Sequence, residues 1–303
     1  MPRLLKYMAY IALFAASYVI FLYWVFPYSA LKDRILGEIE RQIGGGVSVS
    51  AKSLEPYWFS GVDVEGLLVE APGAGGSVPL MKLARVKARA ALIPLIFGSK
   101  RISFDVRLAD GEISGYAKAG EETLYLDLEI DDLDLSSLPF IQERTGLKIP
   151  TRISGEALLE INRQQPMRTT GDISLALDDI RIAASSLKIG DIALDVPDLI
   201  LAKGKESRIK ITLGKGTATI DQFTFAGGDL GLDIKGKAFL SAKVENYRLN
   251  LKGAFTASQK LGEALPFLFI VDSQKQEDGS YPLSITGRVA RPSIKIGTFT
   301  VPL

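Results

Sequence analysis

Five carboxylates crowd one stretch of the chain: Asp127, Glu129, Asp131, Asp132 and Asp134. Carboxylates this close could serve a glycosidase or hold Ca²⁺. Leu124, Leu126, Leu128 and Ile130 alternate with the first two, so a β period puts Asp127 and Glu129 on a solvent face and the other three at the strand's end. A solvated strand end outweighs an acid–base pair on that pattern. Gly214-Lys215-Gly216-Thr217 brings Gly, Lys and Thr together without the spacing of a phosphate loop, and no helix follows. It reads as a hairpin turn. Neither a Ser-x-x-Lys motif nor a Gly-x-Ser-x-Gly elbow occurs. The chain has no His and no Cys. That removes the commonest general base and any zinc site built on those residues. The expectation is a protein that is not an enzyme, with no catalytic, cofactor-binding or metal-binding residues.

Other charges point elsewhere. Arg85, Lys87 and Arg89 alternate with Ala84, Val86, Ala88 and Ala90. This basic stripe is either the polar face of a strand or, near a membrane, a surface for anionic headgroups. Over the whole chain 36 basic residues meet 35 acidic ones, which argues against a nucleic-acid partner. At 303 residues and 47% apolar, the chain can bury one large all-β domain or two ordinary ones.

The elements that would carry these residues begin with an apolar run. Tyr7 to Phe26 contains no charge. Twenty helical residues reach about 30 Å, the thickness of a bilayer core. Arg3 and Lys6 precede the run, and Tyr23, Trp24 and Tyr28 sit near its end, as at a membrane interface. A cleaved signal peptide would have a shorter apolar region and small residues at the cleavage site, where this chain has Pro27-Tyr28-Ser29. The expected topology is a single-pass inner-membrane anchor with its head in the cytoplasm and the bulk in the periplasm. Residues 1–28 form head and anchor, 29–46 a membrane-proximal helix and Gly linker, and 47–303 the β domain. Ser29 is the expected N-cap of that helix, Leu31, Ile35, Ile39 and Ile43 its apolar stripe, and Gly44-Gly45-Gly46 its end. The favoured role of the helix is to cap the open end of the β domain.

Beyond Val47 the period changes to two. Ile102, Phe104, Val106 and Leu108 alternate with polar residues and lead into Asp110-Gly111, a hairpin signal. Like runs follow at Ile153–Ile161, Ile173–Leu177, Ile192–Val196, Leu230–Leu240, Tyr247–Phe255 and Leu283–Val289. Turns are marked at Gly120-Glu121-Glu122, Gly227-Gly228 and Asp278-Gly279. Leu92 to Gly98 is an apolar connector, and Ser258 to Val271 reads as helical, with Ser258 as N-cap and Pro266 ending or kinking it. The fold class is mainly β: an N-terminal transmembrane helix, then an elongated, curved antiparallel sheet with a few short helices. A two-lobed version would divide near Lys148 to Thr151 or near Asn162 to Thr170. Leu230, Leu232, Ile234, Leu240, Leu249 and Leu251 are the candidate apolar groove. Gly236, Ala238 and Gly253 on the same face either leave room in that groove or mark tight bends.

Five stretches resemble known families. Ser53 to Val69 (SLEPYWFSGVDVEGLLV) and Ala91 to Gly115 (ALIPLIFGSKRISFDVRLADGEISG) resemble the opening of AsmA-like proteins, and Ile130 to Ile161 is similar to their strand–short helix–strand unit. Gly216 to Gly253 and Ile285 to Ile294 resemble the long form of the type II secretion system protein N family. The resemblance implies an accessory subunit that works with other inner-membrane subunits of the type II secretion system. Through the AsmA-like relation it also implies an open β groove able to hold lipid acyl chains in envelope homeostasis. A membrane-anchored hydrolase is a third, weaker reading.

Overall fold

A computed structural model describes residues 10, 13, 14, 17, 21, 28–43, 46–58, 60–73, 76–91, 100–108, 110–138, 149–183, 185–189, 192–196, 198–204, 206–264 and 271–301. The connector 92–98, Gly44 and Gly45 lie outside them. So does most of the apolar run 7–26. Of that run Tyr10, Leu13, Phe14, Ser17 and Phe21 are described, all helical and all exposed. At 100° per residue these five share one side of a helix. Among the described residues no helix is long and apolar enough to cross a membrane.

Helix α1 (Tyr28–Ile43) leads in, and Ser29 lies inside it rather than at its cap. The period-two runs then form strands β1 (Ser48–Ser50), β2 (Ser53–Tyr57), β3 (Gly61–Gly73), β4 (Gly76–Ala90), β5 (Lys100–Leu108), β6 (Gly111–Ala119), β7 (Thr123–Asp134), β8 (Arg152–Asn162) and β9 (Thr170–Asp178). An excursion follows: β10 (Arg181–Ile182), β11 (Ser185–Ile189), β12 (Ile192–Val196) and β13 (Leu199–Ile200). The series resumes with β14 (Ser207–Gly214), β15 (Thr217–Phe225), β16 (Leu230–Phe239) and β17 (Arg248–Ala257). Helix α2 (Gln259–Ala264) separates these from β18 (Tyr281–Arg288), β19 (Arg291–Ile296) and β20 (Phe299–Val301).

Sixteen strands form one antiparallel sheet in nearly sequential order, β1-β3-β4 through β9, then β14 to β20, with β2 also on β3. The pairing runs unbroken through β7–β8 and β8–β9, so neither candidate boundary divides the sheet. The run Ile192–Val196 departs from expectation. It pairs with β11 in a separate hairpin, inside the excursion that β10 and β13 close.

The two ends of the sheet differ. One carries the turns after β2, β6, β14 and β18 and is the short-turn end. The other carries the connections after β7, β9 and β17 and is the long-connection end. Buried clusters gather toward the latter: Leu83, Leu108, Leu133 and Leu138; Leu177, Ile180 and Ala202; Leu199 and Leu261; Val271, Tyr281 and Ile296. The long connections supply Leu138, Ile180, Leu199, Ala202, Leu261 and Val271, which fold over the sheet there. Ser258 caps α2 as the sequence suggests, its Oγ accepting from Leu261 N–H at 3.2 Å.

Helix α1 covers the sheet's first edge. It packs on β1 and β2, buries Leu36, and Glu40 Oε1 accepts the Val49 N–H at 2.6 Å. Covering an edge removes a row of unpaired backbone groups. β1 starts toward the long-connection end, where Ser48 pairs with Glu70. A helix that joins it there and lies along both strands runs back toward the short-turn end. Tyr28 therefore belongs at the short-turn end.

Candidate functional site: the apolar face of the sheet

Direct cross-strand partners share a face. The register therefore links Val62, Ala88, Phe104, Gly115, Leu128, Ala157, Ile173, Ile211, Ile220, Gly236, Leu251, Ile285, Ile294 and Val301 into one row, from β3 to β20. Every member is apolar or glycine. A second row beside it joins Ile102, Ala117, Leu126, Leu159, Gly171, Leu213, Ala218, Ala238 and Leu249. In the first row only Ala157 is buried; the rest are half-buried. The sheet thus hides its apolar face at the long-connection end and leaves it half-open through the middle.

The candidate groove residues divide along this line. Leu232, Leu249 and Leu251 are half-buried on the open part of the face. Ile234 is buried, Leu230 packs against the cluster of Leu199 and Leu261, and Leu240 lies past the end of β16 with its N–H on Gly216 O at 2.8 Å. The glycines mark close backbone approach, not vacant space. A β-carbon on Gly236 would stand 2.3 Å from the Asn250 carbonyl oxygen, and φ there is +146°. At Gly253 it would stand 2.0 Å from the carbonyl oxygen of Asp233. Neighbouring backbone occupies the room that absent side chains suggested.

The basic stripe is partly spoken for. Arg85 Nε donates to Asp63 Oδ1 at 2.8 Å, and Asp63 is buried. The hydrogen bond from Arg85 holds the Asp63 carboxyl below its ordinary value against the opposing effect of burial. Lys87 Nζ stands 5.4 Å from the centre of the Tyr57 ring, and Arg89 is exposed.

The acidic stretch has structural work. β7 carries a bulge between Ile130 and Leu133, where Asp132 adopts φ 49°, a conformation that aspartate tolerates better than most residues. Its backbone N–H donates to Ser154 Oγ at 3.1 Å, and Arg152 Nη1 donates to its Oδ2 at 2.9 Å. Asp134 caps the 3-10 turn at Leu135–Ser137, accepting from Ser136 N–H at 2.8 Å. On the polar face Asp127, Glu129, Asp131, Ser154, Glu156, Ser174 and Arg208 line a depression of about 520 Å³. Glu129 and Glu156 are direct cross-strand partners in it, and both are exposed. Facing carboxylates are what a hydrolase would need; among the described residues no apolar wall closes over these two to separate an acid from a base. Among the described residues no group of acidic side chains is arranged to hold a metal ion. Lys215 (φ 50°) and Gly216 (φ 73°) make the two-residue hairpin turn between β14 and β15.

Sequence reasoning missed a second apolar surface. Met167, Phe239, Val244 and Val289 are exposed at the short-turn end: Phe239 ends β16, and the others lie on connections that follow β8, β16 and β18. Val289 N–H donates to Tyr247 O at 2.9 Å, which ties the last two connections together. No period marks Met167, Val244 and Val289 in a sequence, because they lie outside the strands, and Phe239 falls on the polar side of its strand's alternation. Comparison with family models, curated proteins and solved structures gives no match.

Proposed function

We propose that this protein is a membrane-anchored envelope protein whose half-open apolar sheet face holds lipid acyl chains. The observation that carries the reading is the apolar row from Val62 to Val301. Twelve strands from β5 to β20 at about 4.8 Å each extend roughly 50 Å. Apolar surface on that scale is more than a free-standing surface keeps without a partner. Hydrocarbon chains suit it because the face offers no ordered set of polar groups to read a headgroup or a peptide. The uncharged run from Tyr7 to Phe26 supports the anchor, with the sheet on the periplasmic side.

The test is photo-crosslinking at Leu126, Leu232 and Leu251, with Asp233 and Asn250 as controls on the opposite face. Lipid adducts confined to the first three are the expected result. Equal labelling on both faces, or none, overturns the reading.

A second reading, an accessory subunit among the inner-membrane components of a type II secretion system, follows from the resemblance to protein N of that system. One observation favours it: the exposed patch of Met167, Phe239, Val244 and Val289 suits a protein partner. The two roles are compatible, since they use different surfaces. Purification in mild detergent separates them. Phe239→Glu with Val244→Glu should strip co-purifying subunits and leave bound lipid in place.

A further inference from the structure

We infer that the short-turn corner beside the anchor, made by β2 to β6, rests on the membrane and binds anionic lipid headgroups. The inference rests on the anchored reading above. Trp58 stands at the tip of the β2–β3 turn, 63% exposed, with φ at 53°. A bulky aromatic in the left-handed region costs about 1–2 kcal/mol. An exposed indole held at that cost is well placed for a bilayer interface, where amphipathic rings are favoured. Ile102, 47% exposed, lies at the same end of β5.

Charge agrees with this placement. Arg89, Lys100, Arg101 and Lys118 end β4, β5 and β6 here, and all are exposed. Arg101 is held against the Tyr116 ring at 3.7 Å, and Arg101 and Lys118 are direct cross-strand partners, so two like charges stand side by side. Like charges in that register are unfavourable unless an anion lies between them. The first acidic residues further along this end are Glu121 and Glu122, on the β6–β7 turn. The course of α1 brings Tyr28 to this same end.

Twist confines the contact to this corner. Strands rotate by roughly 20–25° each. β17 lies nine places beyond β4 in the sheet order, roughly half a turn away. The patch of Phe239, Val244 and Val289 therefore faces away from a membrane that touches Trp58.

The chain contains two tryptophans, so Trp24→Phe leaves Trp58 as the sole indole reporter. Full-length Trp24→Phe protein is placed in nanodiscs of phosphatidylcholine with or without brominated phosphatidylglycerol. Bromine on the anionic lipid should quench Trp58 and shift its emission to the blue. Arg89→Gln, Lys100→Gln and Lys118→Gln should each loosen the contact about fivefold. Salt near 1 M, where the Debye length is about 3 Å, should release much of it. Trp58 left unquenched in a chain that resists alkaline carbonate extraction overturns the headgroup contact and leaves the anchor standing. A blue shift that appears only on adding solubilised envelope proteins also overturns it, in favour of a protein partner. Release of the chain by carbonate sinks the anchor instead. Quenching of that released chain by anionic vesicles would still support the corner.

Discussion

At the residue scale, two side chains and one missing side chain have consequences that can be measured. Gly236 lies in β16 where a β-carbon would meet the Asn250 carbonyl oxygen at 2.3 Å. Gly236→Ala should cost at least about 2 kcal/mol in denaturant unfolding in detergent. Gly214→Ala, where no atom lies within 4 Å, should stay within about 0.5 kcal/mol. Asp63 is the buried partner of Arg85, and its folded carboxyl is held below its unfolded value. A lowered carboxyl pKa adds stability that is present above the unfolded value and lost as pH falls through the folded one. Asp63→Asn should therefore lower the thermal midpoint clearly at pH 7. The difference from the native chain should shrink as pH falls below about 4, the ordinary aspartate range. An unchanged difference at low pH would mean that the loss is one of shape, not of charge.

At the scale of the element, β7 contains both kinds of surface. Leu133 is buried with Leu83, Leu108 and Leu138 beneath the long connection that follows. Leu126, seven residues earlier on the same face, is half-buried and faces the open middle of the sheet. Leu133→Ala should cost about 2–4 kcal/mol, because it leaves a hole in a closed cluster. Leu126→Ala should cost only about 1 kcal/mol, since much of that side chain meets solvent or ligand already. Asp127→Asn on the other face should change little. Equal losses at Leu133 and Leu126 in lipid-free protein would mean that the middle of the face is a closed core. Strand faces of this kind are legible from alternation alone, and the groove candidates on β16 and β17 do share one face. Their exposure is not legible. Ile234 and Leu251 carry the same pattern, yet one is buried and the other is half-open.

At the scale of the whole molecule, the chain exposes 19634 Å². A compact monomer of 32.9 kDa would expose roughly 12,500 Å². The excess is what one extended sheet implies, since each strand buries itself mainly against its neighbours. A single sheet of this size needs its first edge covered, and α1 does that. It also needs its apolar face satisfied, and among the described residues the connections satisfy one end. The remainder is left for a ligand, a bilayer or another protein, and the photo-crosslinks and the Trp58 reporter distinguish these.

The sequence by itself determined the class of the fold, the faces of its strands, several of its turns and the absence of His- or Cys-based chemistry. Each of those follows from local rules: alternation every two residues, turn residues that tolerate positive φ, and residue types present or missing. Only the tertiary structure decided that β11 and β12 leave the main sheet, that Gly236 and Gly253 meet neighbouring backbone rather than vacant room, and that Asp132 and Asp134 serve a bulge and a cap. It also decided that Arg85 is tied to Asp63 and that Trp58 shares a corner with Lys100 and Lys118. These depend on register between strands and on which connection folds over which face. Register and coverage join residues far apart in the chain, and no local period records them.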